Sequence, residues 1–143
     1  MSKIFKIINT VFLVIVFSTN VQSKESFFDE ALKMFKGKKY DDAKFMLERN
    51  IVFNPKDAKS YLYLAKIYNH ENDQRKEEYN LETALLIEPD NEEVLFMLMK
   101  IALKKSNYSK VKELSENFIK VCNKLCEENI EIQDSLKNIE SKK

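Results

Sequence analysis

Glycine occurs once in this chain, proline twice, histidine once and cysteine twice, and tryptophan is absent. So little turn punctuation argues against many short strands and for helices joined by tight polar turns. A lone glycine, Gly37, excludes the glycine-rich loops that cradle phosphates. An excess of one charge is missing too: 24 Lys and Arg stand against 23 Asp and Glu. The phosphate-driven affinity that nucleic-acid binding needs therefore has no evident source. Two cysteines and one histidine do not assemble a tetrahedral zinc site. His70 lies in "NHENDQRKEE" with no Ser or Cys nucleophile placed beside it by a recognisable motif, and reads as solvated helix-turn surface. No catalytic residue, metal site or cofactor is expected, and the chain is read as a non-enzyme. Its 143 residues suffice for one domain.

The first 23 residues are unlike the rest. Lys3 and Lys6 give a positive start, "VFLVIVF" (11–17) an apolar centre, and "TNVQS" small and polar residues before Lys24. This is the order of a secretory signal, with Val21 and Ser23 at the small-residue positions of a cleavage site. The stretch 4–17 contains Lys6, Asn9 and Thr10, and falls short of the ~20 apolar residues of a spanning helix. No cysteine follows it, which argues against a lipid on a new N-terminus. Residues 1–23 are expected to be a signal peptide, with an uncleaved membrane anchor as the alternative. The destination is secreted, or periplasmic in a bacterium with an outer membrane, and membrane contact is expected only through this segment. Its removal leaves 22 basic and 23 acidic residues.

What the chain does have is a period. Pro55 and Pro89 lie 34 residues apart, and each opens a polar turn that runs into an apolar-rich helical pattern. Laid in frames 24–57, 58–91 and 92–125, the fourth position holds Phe27, Tyr61 and Leu95, and the eighth Ala31, Ala65 and Met99. The eleventh holds Met34, Tyr68 and Ala102; later come Leu47 and Leu81, Ala84 and Phe118, then Ile51, Leu85 and Ile119. Positions 4, 8 and 11 share one helical face, as do 17, 20, 24, 27 and 28, so each frame reads as two helices. Neither helix of a pair can hide its apolar stripe unaided, whereas stacked pairs can. The prolines mark boundaries, and Asp57 and Asp90 are expected to cap the helices that follow.

The pattern resembles the tetratricopeptide repeat family over residues 24–125, most strongly in "YLYLAKIY…LETALLIEPD". There Tyr61, Leu64, Ala65, Tyr68, Leu81, Ala84 and Pro89 match the family's large, small and proline positions. The first repeat matches through Phe27, Ala31, Tyr40, Ala43, Leu47 and Pro55, with Gly37 in its turn, and departs at Glu30 and Asn50. The second carries Glu77 where a small residue is usual, so its second helix is expected to start loosely. The third departs at Met99, Val111, Ser115 and Asn123. The resemblance implies an all-α fold: an α-solenoid of three antiparallel helix pairs. In "CEENIEIQDSLKNIESKK", Ile132, Leu136 and Ile139 form a single apolar stripe, so residues 127–140 of the C-terminal segment 126–143 read as a capping helix. About seven helices follow.

Cys122 and Cys126 flank the turn "NKL". An i, i+4 pair lies within disulfide reach, and an oxidising compartment favours the bond. Two free buried thiols, or a redox-active or metal-binding pair, are the alternatives.

The resemblance also implies a concave groove lined by the first helix of each repeat. Its candidates are Glu25, Phe28, Leu32, Phe35 and Lys36; Lys59, Leu62, Lys66, Asn69 and His70; and Glu93, Phe96, Lys100, Leu103 and Lys104. Foremost are Phe28, Leu62, Lys66, His70, Phe96 and Lys100. Apolar anchors beside five lysines suit a peptide or protein partner that offers apolar side chains next to carboxylates. A carboxylate clamp of the family's kind is not supported, because Leu32, Lys66 and Lys100 stand where it uses Asn. The run "VLFMLMKIAL" (94–103) either buries itself in the stack or docks a partner or second copy through Phe96 and Met97. The expected function is a secreted protein-binding adaptor. The alternatives are a self-associating subunit of an envelope complex with an empty groove, and a thiol-disulfide protein.

Overall fold

A computed structural model describes residues 26–140 of the chain. The expected signal, residues 1–23, lies outside them. Among the described residues there are seven α-helices and no strand: α1 Phe27–Lys36, α2 Tyr40–Phe53, α3 Ala58–His70, α4 Gln74–Ile87, α5 Glu92–Lys104, α6 Tyr108–Val121 and α7 Glu128–Glu140. They pair as hairpins α1/α2, α3/α4 and α5/α6, with α2 packed on α3 and α4 on α5, and α7 against both helices of the last hairpin. This is the all-α solenoid with a terminal covering helix.

Each hairpin turns on the same backbone device. Lys38, Asn72 and Ser106 are the described residues with left-handed φ, at 58°, 60° and 57°, and they recur at the 34-residue interval. Behind each, an amide reaches back to close the helix: Lys39 to the Met34 carbonyl, Asp73 to Tyr68 and Asn107 to Ala102, all at 2.9 Å. Gly37, beside the first of these, has an ordinary φ of −78°. The chain thus places exposed non-glycine residues in the left-handed position three times, each followed by the reach-back hydrogen bond that closes its helix.

Helix starts follow local chemistry with three corrections. Ser26, Asp73, Asn91 and Asn107 accept N–H bonds from Asp29, Lys76, Val94 and Lys110. Asn91, not Asp90, therefore caps α5. Asp57 sits at the cap position of α3 but turns its carboxylate to Asn50 Nδ2 (2.7 Å) and Ser60 Oγ (2.7 Å). The helix expected to start loosely, α4, begins cleanly at Gln74 under the Asp73 cap.

Two apolar cores run through the stack. The first joins Ala31, Ala43, Leu47, Leu64, Ile67 and Tyr68 from α1, α2 and α3. The second extends from Leu62 and Ala65 through Leu81, Leu95, Met99 and Phe118 to Ile132 and Leu136 of α7. Fully burying a leucine contributes ~2 kcal/mol, several times a surface ion pair, so apolar area drives the stacking.

Charge then discriminates between neighbours. Lys44 Nζ meets Glu71 at 2.7 Å across the first inter-hairpin joint. At the equivalent positions of the second joint the polarity is reversed: Glu78 meets Lys105, and Lys110 reaches Glu78 at 3.7 Å and Glu82 at 2.6 Å. Stacking the first repeat directly on the third would set Lys44 against Lys105. Stacking the second on another copy of itself would set Glu78 against Glu71. Glu78→Lys, which faces two lysines, is expected to lower stability by about 1 kcal/mol. Lys105→Glu in the same chain restores part of it, and both effects shrink in molar salt. Urea midpoints at low and high salt measure this.

Candidate binding groove

The first helices of the hairpins, α1, α3 and α5, carry the groove candidates, and the structure sorts them unevenly. Phe28 and Phe35 of α1 are half-buried and close edge-on around Tyr63 of α3, with ring centroids at 5.6 and 5.0 Å. Phe96 of α5 is half-buried, and Lys100 stands exposed with its ammonium 5.4 Å from the Phe96 ring. Leu62 is only 5% exposed and belongs to the second core, so it is not free to grip a ligand. Lys66 is bound to Glu93 Oε1 at 2.8 Å and lies over the Tyr63 ring, so its charge is already matched. His70 is exposed and lies tilted against Tyr40 of α2, ring centroids 4.3 Å apart, at the hairpin end of α3. Glu25 lies outside the described residues.

Two cavities open on either side of Lys100. The larger, 480 Å³, lies between the C-terminal end of α3, the start of α4, and α5, with Met97, Ile101 and Leu103 as apolar wall. The smaller, 250 Å³, lies between α5 and the covering helix, where Phe96, Leu103, Leu125 and Ile132 meet Glu128 and Glu131. Lys100 and Leu103 are common to both. The run 94–103 thus divides: Val94, Leu95, Leu98, Met99, Ile101 and Ala102 are buried, while Phe96, Met97 and Leu103 are half-buried at the cavities.

Glu77 lines the larger cavity and was a departure from the repeat pattern, not a groove candidate. It is 5% exposed, and its Oε1 accepts from Asn69 Nδ2 at 2.9 Å. Burial pushes its carboxyl pKa above the ordinary value, against the Asn69 hydrogen bond and the nearby Lys104 and Lys100. The acids of α7 and the apolar Leu125 and Ile132 were also missed, because a covering helix reads from sequence only as a lid. A mismatch at a normally small position was the available signal for Glu77.

The smaller cavity depends on how α7 is attached. Cys122 ends α6, and the structure brings it together with Cys126, Cα atoms 5.2 Å apart. The intervening loop is held by one carboxylate: Glu92, in the first turn of α5, accepts from the amides of Asn123 (2.6 Å) and Lys124 (3.0 Å). The Asn123 amide, followed by its neighbours, holds the Glu92 carboxyl below its usual pKa. Asn129 and Gln133 of α7 then meet Ser115 of α6, Ser115 Oγ lying 3.1 Å from Asn129 Oδ1.

Among the described residues no cluster of His, Cys, Asp or Glu could hold a metal ion, and no helix is long and apolar enough to cross a membrane.

Glu77 fixes a pH dependence. Its raised folded-state pKa means that the cost of burying its charge is fully present at neutral pH. That cost is relieved as pH falls through the folded pKa toward the unfolded value. Glu77→Gln, which keeps an oxygen for Asn69, is expected to be more stable than the parent at pH 7. The difference should vanish by about pH 4, the ordinary carboxylate range. Urea unfolding of both chains across that range checks it.

No protein-family model matches the sequence, and no curated protein matches it. Solved structures do. The Yersinia enterocolitica type III secretion chaperone SycD, in complex with a peptide of the translocator YopD, superposes with a TM-score of 0.69 at 15% identity. The match covers 87% of this chain and 98% of that one. The TPR domain of Sgt2 from Aspergillus fumigatus gives 0.62 at 15% identity, covering 85% and 80%. The CopN–Scc3 complex gives 0.62 at 11% identity, covering 85% and 72%. These likenesses establish the fold: the chain is built as a tetratricopeptide-type stack of helical hairpins.

Proposed function

We propose that this chain is a protein-binding adaptor that holds an extended segment of a partner across α5, with two apolar side chains in the paired cavities and a carboxylate between them on Lys100. The observation that carries the reading is the pair of cavities, which share Lys100 and Leu103 and have apolar walls on both sides. Lys100, exposed between the apolar walls of the two cavities and with Lys104 beside it in the larger one, can recognise an acid flanked by apolar residues. SycD, built on the same fold, was solved with a peptide of its translocator partner. Lys66, tied to Glu93, and Leu62, in the core, take no direct part.

The adaptor is a non-enzyme. It works outside the cytoplasm, in keeping with the charged-apolar-small order of residues 1–23 and with a cysteine pair at bonding distance. In this reading Cys122 and Cys126 form a structural disulfide that fixes α7. The bond closes a loop of a few residues, so removing it by Cys122→Ser with Cys126→Ser should cost about 2 kcal/mol. The melting temperature should fall by roughly 8 °C. Thiol titration of the unfolded parent should find no free thiol; two free thiols in the secreted protein would remove the structural bond.

The groove is tested with a randomised decapeptide library panned on the immobilised full chain. The expected selection is Asp or Glu with a large apolar residue on either side, at micromolar affinity. Lys100→Glu should reverse the central preference to Lys or Arg and weaken binding of the parent's best peptide about tenfold. Selection that is indifferent to Lys100→Glu would refute the site.

A further inference from the structure

The second helices of the hairpins carry a surface that the groove does not use. In α2, positions Asp41, Phe45, Glu48 and Val52 are spaced i, i+4, i+7 and i+11, one face of a helix. The 34-residue equivalents in α4 are Arg75, Tyr79, Glu82 and Leu86. At roughly 100° per residue this face lies about 180° from the stripe that α2 and α4 bury (Ala43, Leu47 and Asn50; Glu77, Leu81 and Ala84). It therefore looks directly away from the stack. Phe45 is 61% exposed, Val52 77%, Tyr79 69% and Leu86 83%. In α6 the equivalent positions are Ser109, Glu113, Glu116 and Lys120, all polar and exposed. The apolar pair is thus repeated twice at the same register and then stops.

We infer that this outer face of α2 and α4 is a pairing surface for a second copy of the chain, with α2 of one copy lying on α4 of the other. Because α2 and α4 occupy the same place in successive hairpins, they run in the same direction. A two-fold axis parallel to both, set between them, lays α2 on the second copy's α4 with the direction kept. Phe45 then faces the second copy's Tyr79, and Val52 its Leu86. At the N-terminal ends Asp41, which Lys44 of its own helix approaches at 3.5 Å, faces Arg75. The two-fold repeats each of these contacts. Glu48 faces Glu82, whose charge Lys110 already offsets at 2.6 Å.

The rival arrangements fail on the same residues. Reversing the helix direction sets Phe45 against Glu82 and Val52 against Arg75. Pairing α2 with α2 antiparallel sets Phe45 against Glu48. An anionic lipid surface would meet Asp41, Asp42, Glu48 and Glu82 between the apolar side chains. Only the parallel α2–α4 register matches aromatic with aromatic, aliphatic with aliphatic and acid with base. Such pairing leaves α5 and both cavities open on each copy, so the assembly would present two grooves outward. It is distinct from association through Phe96 and Met97, which would close them.

The test uses full-length chains carrying two different C-terminal tags, coexpressed and captured through one tag. Wild-type copies are expected to capture each other. Asp41→Arg alone places arginine against Arg75, and Arg75→Asp alone places aspartate against Asp41. Each is expected to reduce self-capture about tenfold. Mixing the two variants sets the new arginine of one against the new aspartate of the other, and leaves the native Arg75 and Asp41 to pair at the second contact. The mixture should therefore recover wild-type capture although neither variant pairs with itself. Leu86→Glu should abolish capture in every combination, while Glu113→Arg on α6 should leave it intact. Absence of wild-type capture overturns the inference, as does capture by the mixture no better than by either variant alone. Binding of the wild-type chain to anionic vesicles without self-capture would instead assign the face to lipid and overturn it equally.

Discussion

Everything in this molecule depends on the inability of a two-helix hairpin to cover its own apolar flank. Leu47, Leu81 and Phe118 are each no more than 1% exposed, and Leu47 and Phe118 reach that state through helices of neighbouring elements. With ~2 kcal/mol at stake for each buried large side chain, a lone hairpin would forgo most of its stabilisation. The same need dictates α7. The third hairpin has no fourth to lean on, so Ile132 and Leu136 are supplied by α7.

Three of the residues that depart from the repeat pattern hold neighbouring helices in register. Asn50, Glu77 and Ser115 stand at buried positions usually filled by small or apolar side chains, and each has a partner. Asn50 reaches Asp57 and Ser60 of the next hairpin, Glu77 meets Asn69, and Ser115 meets Asn129 and Gln133 of α7. An unsatisfied group at any of them would cost about 1–3 kcal/mol, so these contacts penalise a slipped register more than they reward the right one. The alternating ion pairs act in the same way at the surface, rejecting wrong neighbours by like charge.

This explains which parts of the structure were legible in the sequence. A 34-residue period survives any amount of surface variation, because it is enforced by turns and buried stripes; hence the helical hairpins and the covering helix were readable. Side-chain destinations within a frame were not. Leu62 and Phe28 occupy the same position, yet one enters the core and the other stays half-buried, since their depth depends on the volumes of residues one hairpin away. Lys66 looked like a free groove cation because Glu93, its partner, lies 27 residues downstream. Asp90 and Asn91 are both good caps, and only the helix phase chose Asn91. The cavities were invisible for a further reason: each needs several helices to exist.

The two ends of the proposed groove are built on different foundations. The larger cavity is walled by α3, α4 and α5, which consecutive hairpins lock together through apolar packing. The smaller one borrows Leu125 and Ile132 from a helix and its leading loop that touch the stack at few points. That helix is positioned by a short loop, which Glu92 grips by its amides and the cysteine pair closes. Where the other two repeats end on a proline, this one ends on Cys122, and Asn123 takes the place of the missing ring. A proline would have stopped α6 but given α7 no fixed direction. In the proposed groove, pairing Cys122 with Cys126 where the other repeats carry proline would add one half-site, because it turns a covering helix into a wall.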